Sequence, residues 1–264
     1  MTRENGSTVW EEVADRQSPS WYLDPLVAEQ KRDVNLSLLD RWATAAQIET
    51  LLKTDLFEEA NGPDEVLSGC SAFARVLGID LSLGEAARAK RATSATNAVF
   101  AVTDVRYLPL ARASIDVVLS NSTLDHFESI EELDRSLGEL TRVLRPGGTA
   151  IITLDNGRNP LYWLLRLVAK TGKSPFPMGV TTSLPGLVGR LQATGLEITD
   201  ADYLIHNPRV LSTLLFLALR KISHRRADRV ISWLLWAFGL LDRLPTRGLT
   251  ACFVAVAARK PTSG

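Results

Sequence analysis

The chain of 264 residues holds only two cysteines, Cys70 and Cys252, and three scattered histidines, His126, His206 and His224. Two thiols cannot build a disulfide framework, and nothing in the spacing gathers a zinc-type ligand set, so no metal is expected. Excess charge of either sign is also missing. Thirty Lys and Arg offset thirty Asp and Glu, which removes the basic footprint of a nucleic-acid binder. No apolar run reaches the roughly 18 residues that cross a bilayer. The polar start Met1–Gly6 has none of the apolar stretch of a signal peptide, so a cytoplasmic protein is expected. Seventeen glycines are present, but none fall into Gly-x-Gly-x-x-Gly, which argues against a nicotinamide dehydrogenase.

What is present is a globular composition, 45% hydrophobic and 23% charged. Residues 1–20 are polar and aperiodic. From Trp21 to Trp42, Leu23, Leu26, Val27, Val34, Leu38 and Leu39 recur on one helix face, with Pro25 in the first turn. Short apolar strands are then expected at Ile48–Leu52, Arg75–Asp80, Ala98–Val102, Ser114–Leu119 and Ala150–Leu154. They alternate with helices at Pro63–Ala74, Leu81–Thr93 and Ile130–Leu144, and Arg145–Gly148 reads as a turn. Alternation of this kind predicts an α/β, doubly wound, mostly parallel sheet covered on both faces. Right-handed crossovers bring the strand ends to one edge, where Thr54, Asp55, Asp80, Asp104, Ser120, Asn121, Asp155 and Asn156 would line a site.

The C-terminal third departs from this rhythm. A helix near 160–171 is followed by Pro175, Pro177 and Gly179, a second helix, and a strand at Leu196–Tyr203. Two apolar helices, Val210–Leu219 and Val230–Leu241, flank a basic connection containing Arg220, Lys221, Arg225, Arg226 and Arg229, before a last strand at Ala251–Ala258. The chain thus divides into a helical extension (1–44), an α/β core (45–204), a helical insertion (205–249) and a final strand with tail (250–264).

Asp80, at the end of the second strand, can accept hydrogen bonds from both hydroxyls of a ribose; it can equally cap the next helix, since Ser82 and Glu85 follow. Asp104, past the third strand, can take an adenine amine with Val105, Leu108 and Pro109 nearby, or serve as a turn residue. With the Gly78–Ser82, Val102–Leu110, Ser114–Asn121, Leu124–Phe127 and Leu140–Leu154 segments in this order, residues 51–156 resemble the class I S-adenosylmethionine-dependent methyltransferases. The resemblance implies their seven-stranded Rossmann-like fold and S-adenosyl-L-methionine as cofactor, with S-adenosyl-L-homocysteine as product. Asp80 would hold the ribose, Asp104 would lie near the adenine, and Asn121 would lie near the methionine part. The full expected cofactor set is Thr54, Asp55, Asp80, Leu81, Asp104, Val105, Asn121 and Ser122.

One stretch departs from that family. Its acid-x-Gly-x-Gly-x-Gly loop is replaced by Lys53-Thr54-Asp55-Leu56-Phe57-Glu58-Glu59-Ala60-Asn61-Gly62, similar to a string in a subgroup of bacterial methyltransferase-like sequences. Asp55 or Glu59 could meet the cofactor ammonium, and Phe57 could crowd the space that glycines leave bare. Methyl transfer needs alignment and dryness more than acid–base help. Where a proton must leave the acceptor, His126 is the candidate base, with Asp125 orienting it; the pair could also merely start the following helix. Asn156, Tyr162 and His206 are candidate acceptor residues, with Asn159 the alternative cap for the helix after it.

The basic apolar hairpin reads as a lid over an apolar acceptor, a contact with anionic lipid, a dimer contact or a plain structural unit. The expectation is methylation of a hydrophobic small molecule, at oxygen before nitrogen or carbon, as in secondary metabolism, with Trp21 and Tyr22 folded over the cofactor cleft. A non-methylating or inactive relative is the alternative. Peripheral membrane contact and a homodimer both stay open, and no nucleic-acid partner is expected.

Overall fold

The computed structural model describes residues 24–43, 49–170 and 178–262. The readings of residues 1–20, Trp21, Tyr22, Ile48, Pro175 and Pro177 lie outside the described residues. The first helix, α1 (Pro25–Trp42), starts where Asp24 accepts from the Leu26 amide at 3.0 Å and Pro25 presets the first turn. Seven strands follow in one sheet: β1 (Thr50–Thr54), β2 (Arg75–Asp80), β3 (Ala98–Val102), β4 (Ile115–Asn121), β5 (Leu144–Asp155), β6 (Glu197–Leu204) and β7 (Phe253–Arg259). Their order is β3-β2-β1-β4-β5-β7-β6, with β7 antiparallel to both neighbours and the β1 to β5 pairings parallel. This is the expected doubly wound, seven-stranded, mostly parallel fold.

Strand periodicity assigns each face its core. Leu52, Val118 and Ile152 point to one side, under α4 (Ile130–Val143) and α6 (Leu184–Ala193). Their neighbours Leu51, Val117 and Ile151 point to the other, under α1 and α3 (Leu83–Ala92). Trp42 and Arg41 fasten α1 to the far edge of the sheet, through Asp200 at 2.7 Å and Asp202 at 2.9 Å.

Two expectations fail. Residues 63–74 contain only a 3₁₀ turn at Leu67–Gly69, because side chains take the backbone partners a helix would need. Glu65 accepts from the Ser68 amide at 2.6 Å, Glu59 accepts from the Val66 amide at 3.3 Å, and Arg32 donates to the Glu65 carbonyl at 2.8 Å. Arg145–Gly148 is not a turn between elements but an irregular start to β5. Gly147 sits at φ 79 and donates to the Lys260 carbonyl at 2.8 Å, while the β4–β5 register shifts between Ile115 and Val117.

The remaining helices are α2 (Phe57–Asn61), α5 (Tyr162–Lys170), α7 (Arg209–Ile222), α8 (His224–Gly239) and the short α9 (Arg247–Thr250). The basic connection is itself helical: Ser223 alone joins α7 to α8. Phe216, Ala227, Ile231 and Leu235 form a separate small core with Leu26 and Val27 of α1. Among the described residues no helix is long and apolar enough to cross a membrane.

Candidate functional site

The carboxyl ends of β1, β2, β3 and β4 meet along one edge. Asp80 closes β2, and its carboxylate accepts backbone amides, Oδ2 from Leu56 and Oδ1 from Ser82, both at 2.8 Å, with Leu81 adding a third. The helix-cap role belongs to Ser82, whose Oγ accepts from the Glu85 amide at 3.2 Å. A carboxylate offers about four lone-pair sites, so these amides leave it part of its acceptor capacity. Burial raises the Asp80 carboxyl above its ordinary range.

Asp104, two residues past β3, is gripped by Arg106. Nε lies 3.0 Å from each carboxylate oxygen, Nη2 lies 2.7 Å from Oδ2, and the Arg106 amide donates at 2.8 Å. Arg106 also bonds Glu132, and its guanidinium lies 5.2 Å from the centre of the Phe127 ring. Asp104 is thus a fixed wall whose lone pairs are largely committed.

Between these acids lies the unusual loop. Lys53 occupies the acid position of the family pattern, and Asp55, Phe57 and Glu59 occupy its three glycine positions. Asp55 adopts φ 67, the left-handed region that glycine enters freely. Its own carboxylate compensates by accepting from the Phe57 amide at 2.8 Å, a local turn that favours Asp there. Lys53 is 0% exposed. Its Nζ donates to the Asp55 carbonyl at 2.7 Å, to Glu59 at 2.8 Å and to Glu58 at 3.4 Å. Lys31 of α1 completes the network with Glu58 at 2.8 Å and Asp64 at 3.2 Å. Burial opposes ionisation of Glu58, yet Lys31 and Lys53 outweigh it and hold its carboxyl down at about 2. Glu59 is consequently a buried ion-pair partner and does not line the cleft.

Thr54, Asp55, Asp80, Leu81, Asp104, Val105 and His126 line one open cleft, together with Phe57, Ile79, Glu85, Thr103, Thr123 and Phe127. Four carboxylates face it, and among the described residues no Lys or Arg lines it. Burial, reinforced by the nearby charges of Glu58 and Asp80, raises the Asp55 carboxyl well above its ordinary range. Burial likewise raises Glu85. Phe57 forms part of the wall. Glu85 was missed in the sequence because its position inside a helix, five residues past Asp80, gave it no strand-end signal.

The other expected residues stand elsewhere. Asn121, 3% exposed, ends β4 with neither amide atom hydrogen-bonded. Ser122 follows at φ 46, its amide donating to the Thr153 carbonyl at 3.0 Å. Asp125 does not join His126 in the cleft. Its Oδ1 is 3.9 Å from His126 Nε2, beyond hydrogen-bond reach, and its Oδ2 accepts from the Asp155 amide at 2.7 Å.

Asp125 belongs instead to a second polar group, where Asp155 pairs with Arg209 and the Arg209 guanidinium lies 4.3 Å from the Phe253 ring centre. Burial, then the charge of Asp155, raises Asp125 to about 6. Tyr162, whose hydroxyl is buried without a partner among the described residues, lines a small cleft with Arg209, Cys252 and apolar residues of α5 and α7. Burial raises the Tyr162 phenol too. Arg209 escaped the sequence reading because it sits at the start of an apolar helix, far along the chain from Asp155.

Asn156 is tied to the Gly248 and Ala251 carbonyls, each at 3.0 Å, and Asn159 accepts from the Leu161 amide at 2.8 Å as the cap before α5. His206 shares a hydrogen bond of 2.8 Å with Thr250 and lies 3.5 Å from Asp242, away from both clefts.

Residues 61–152 match a family model described as a methyltransferase domain. No curated protein sequence matches the chain. Among solved structures, the chain is similar to geranyl diphosphate C-methyltransferase from Streptomyces coelicolor A3(2), in complex with Mg²⁺, geranyl diphosphate and S-adenosyl-L-homocysteine. The identity is 17% and the TM-score 0.56, covering 86% of this chain and 77% of that one. It is similar to Haemonchus contortus phosphoethanolamine N-methyltransferase 2 in complex with S-adenosyl-L-methionine, at 19% identity and TM-score 0.56, covering 87% of this chain and 52% of that one. It is also similar to the cyclase SpnF, at 19% identity and TM-score 0.55, covering 88% of this chain and 81% of that one.

Proposed function

We propose that the acidic cleft at the ends of β1 to β3 binds S-adenosyl-L-methionine and delivers its methyl group to an apolar small molecule, a reading supported by the methyltransferase-domain match over residues 61–152 and by the sheet order. The observation that carries this reading is the shared cleft of Asp55, Asp80 and Asp104, without a cationic wall. S-adenosylmethionine supplies a methyl on a cationic sulfur, already activated toward nucleophiles, so the protein has mainly to position and dehydrate. Asp80 accepts from the ribose hydroxyls through its uncommitted lone pairs. Asp55 faces the cationic end, Leu81 and Val105 flank the base, and the Asp104–Arg106 pair closes the adenine side. Thr54, Asn121 and Ser122 serve the methionine end.

His126, in the cleft, takes the proton of an acceptor hydroxyl when one must leave; Asp125 acts on it only through the turn they share. The second cleft, with Tyr162 and Arg209, receives the acceptor; Asn156 is held by the Gly248 and Ala251 carbonyls and His206 by Thr250, so neither of them touches it. Oxygen is the favoured methyl acceptor, in a pathway of secondary-metabolite type. The likeness to the cyclase SpnF, together with Phe57 at a glycine position, favours one second reading: a cofactor-holding relative that does not transfer methyl.

Isothermal titration with S-adenosylmethionine and S-adenosylhomocysteine tests the reading. The intact protein should bind both, and Asp80→Ala should weaken binding by roughly tenfold or more, about 1.4 kcal/mol. An intact protein that gives no heat with either ligand would overturn the proposal. Binding without methyl transfer to any apolar hydroxyl compound would favour the second reading.

A further inference from the structure

The helices that cover the C-terminal end of the sheet leave a large apolar surface unpartnered. On α7, Ser212 and Phe216 turn inward, while Leu211, Leu214, Leu215 and Ile222 are exposed. On α8, Ala227, Ile231 and Leu235 are buried at helical spacing, which leaves Val230, Trp233, Trp236 and, just past its end, Leu240 outside. The exposed Trp163 and Leu167 of α5, which packs on α7, extend the surface. Trp163, Trp233 and Trp236 are each 61% exposed, an arrangement that monomeric proteins seldom keep without a use for it.

Charge is segregated to the same place. Residues 158–170 and 209–249 contain eleven Lys and Arg against two Asp, in a chain whose total charge is zero. Arg220 is committed to Asp24 and Asp228, but the exposed Lys221, Arg225, Arg226 and Arg229 at the α7–α8 end form no ion pair among the described residues. We propose that the face formed by α5, α7 and α8 docks on an anionic lipid surface, its tryptophans at the headgroup level and its cations on the phosphates. A second copy of the chain fits this face less well, because a twofold contact would press the same unpaired cations together.

The docking also gives the acceptor a route. Leu161 and Leu211 belong to the exposed surface and at the same time line the cleft that holds Tyr162 and Arg209. With the face on lipid, that cleft opens onto the bilayer, and the acceptor is an amphipathic, membrane-dissolved molecule. This last step rests on the methyltransferase reading; the docking does not.

Sedimentation with phosphatidylcholine vesicles, with and without phosphatidylglycerol, tests the docking on the full chain. Binding should require the anionic lipid and fall as salt is raised. Trp233→Ser with Trp236→Ser, and separately Arg225→Glu with Arg226→Glu, should each lower the bound fraction by about tenfold. Both variants should keep the circular dichroism and the S-adenosylhomocysteine heat of the intact protein. Absence of sedimentation with anionic vesicles overturns the proposal. A dimer that the tryptophan changes dissociate, with no vesicle binding, overturns it in favour of a self-contact. Vesicle binding by a protein that takes up no cofactor supports the docking while removing the methyltransferase reading.

Discussion

Asp125 is an acid with one oxygen bonded to the Asp155 amide and the other bare inside the protein. Its folded carboxyl stands at about 6, above the ordinary 3.8, because burial and the Asp155 charge both disfavour ionisation. The sign of the linkage follows. Between about pH 4 and 6 the unfolded chain gives up this proton before the folded one, so stability from this group falls as pH rises and levels off above the folded value. Asp125→Asn keeps the acceptor for the Asp155 amide and removes the penalty. Thermal unfolding should therefore show the variant gaining on the parent between pH 4.5 and 7.5, by up to roughly 2 kcal/mol; an unchanged gap across that range would contradict it. The sequence hides this role. Asp125 and His126 are adjacent, but the 3₁₀ turn Leu124–His126 sends successive side chains about 120° apart. One therefore reaches the cofactor cleft and the other the Asp155–Arg209 group.

The segment from β1 through α2 shows what sequence periodicity can and cannot deliver. Apolar runs flanked by polar residues located β2 and β3 residue for residue, since short apolar runs between helices have one place in an alternating α/β topology, even though β3 is an edge strand with Val99 and Val102 exposed. Asp80 and Asp104 were legible for the same reason: strand ends in this topology have one destination. The loop after β1 was legible only as a departure from a glycine-rich pattern. Its solution, a buried lysine tying Glu58, Glu59 and the Asp55 carbonyl, depends on contacts reaching across to α1 that no local pattern records. The helix expected at 63–74 fails through the same long-range demand, because Glu59 and Arg32 claim its backbone groups. Removing one partner of a buried pair leaves uncompensated charge. Lys53→Met should accordingly cost about 3–5 kcal/mol in urea unfolding, and adding Glu59→Gln should return part of it. A loss below about 1 kcal/mol would mean that the network is solvated and contributes little.

Across the whole molecule, zero net charge conceals a separation. Residues 158–170 and 209–249 carry nine more cations than anions, and the rest of the chain therefore carries nine more anions than cations. Four acids line the cleft at the ends of β1 to β3, Asp104 paired there with Arg106 and Glu85 with Arg88. A ligand whose charge rises by one should feel this field directly. S-adenosylmethionine bears a sulfonium that S-adenosylhomocysteine lacks, so the cleft should prefer the methyl donor over its product by about tenfold near neutral pH, a discrimination of about 1.4 kcal/mol. Asp55 makes the preference depend on pH, because its carboxyl in the empty cleft is raised by burial, Glu58 and Asp80. A cation entering beside Asp55 favours its ionised form, so binding of the donor should expel protons and tighten as pH rises, while the neutral product should respond weakly. Titrations in two buffers of different ionisation enthalpy, repeated from pH 5.5 to 8.5, would measure the proton release and both affinities together. The Asp55→Asn change should flatten the donor's pH dependence and bring the two ligands closer in affinity. Equal affinities across the range, with no proton exchanged, would show that the acids of this cleft are neutralised by groups other than the ligand.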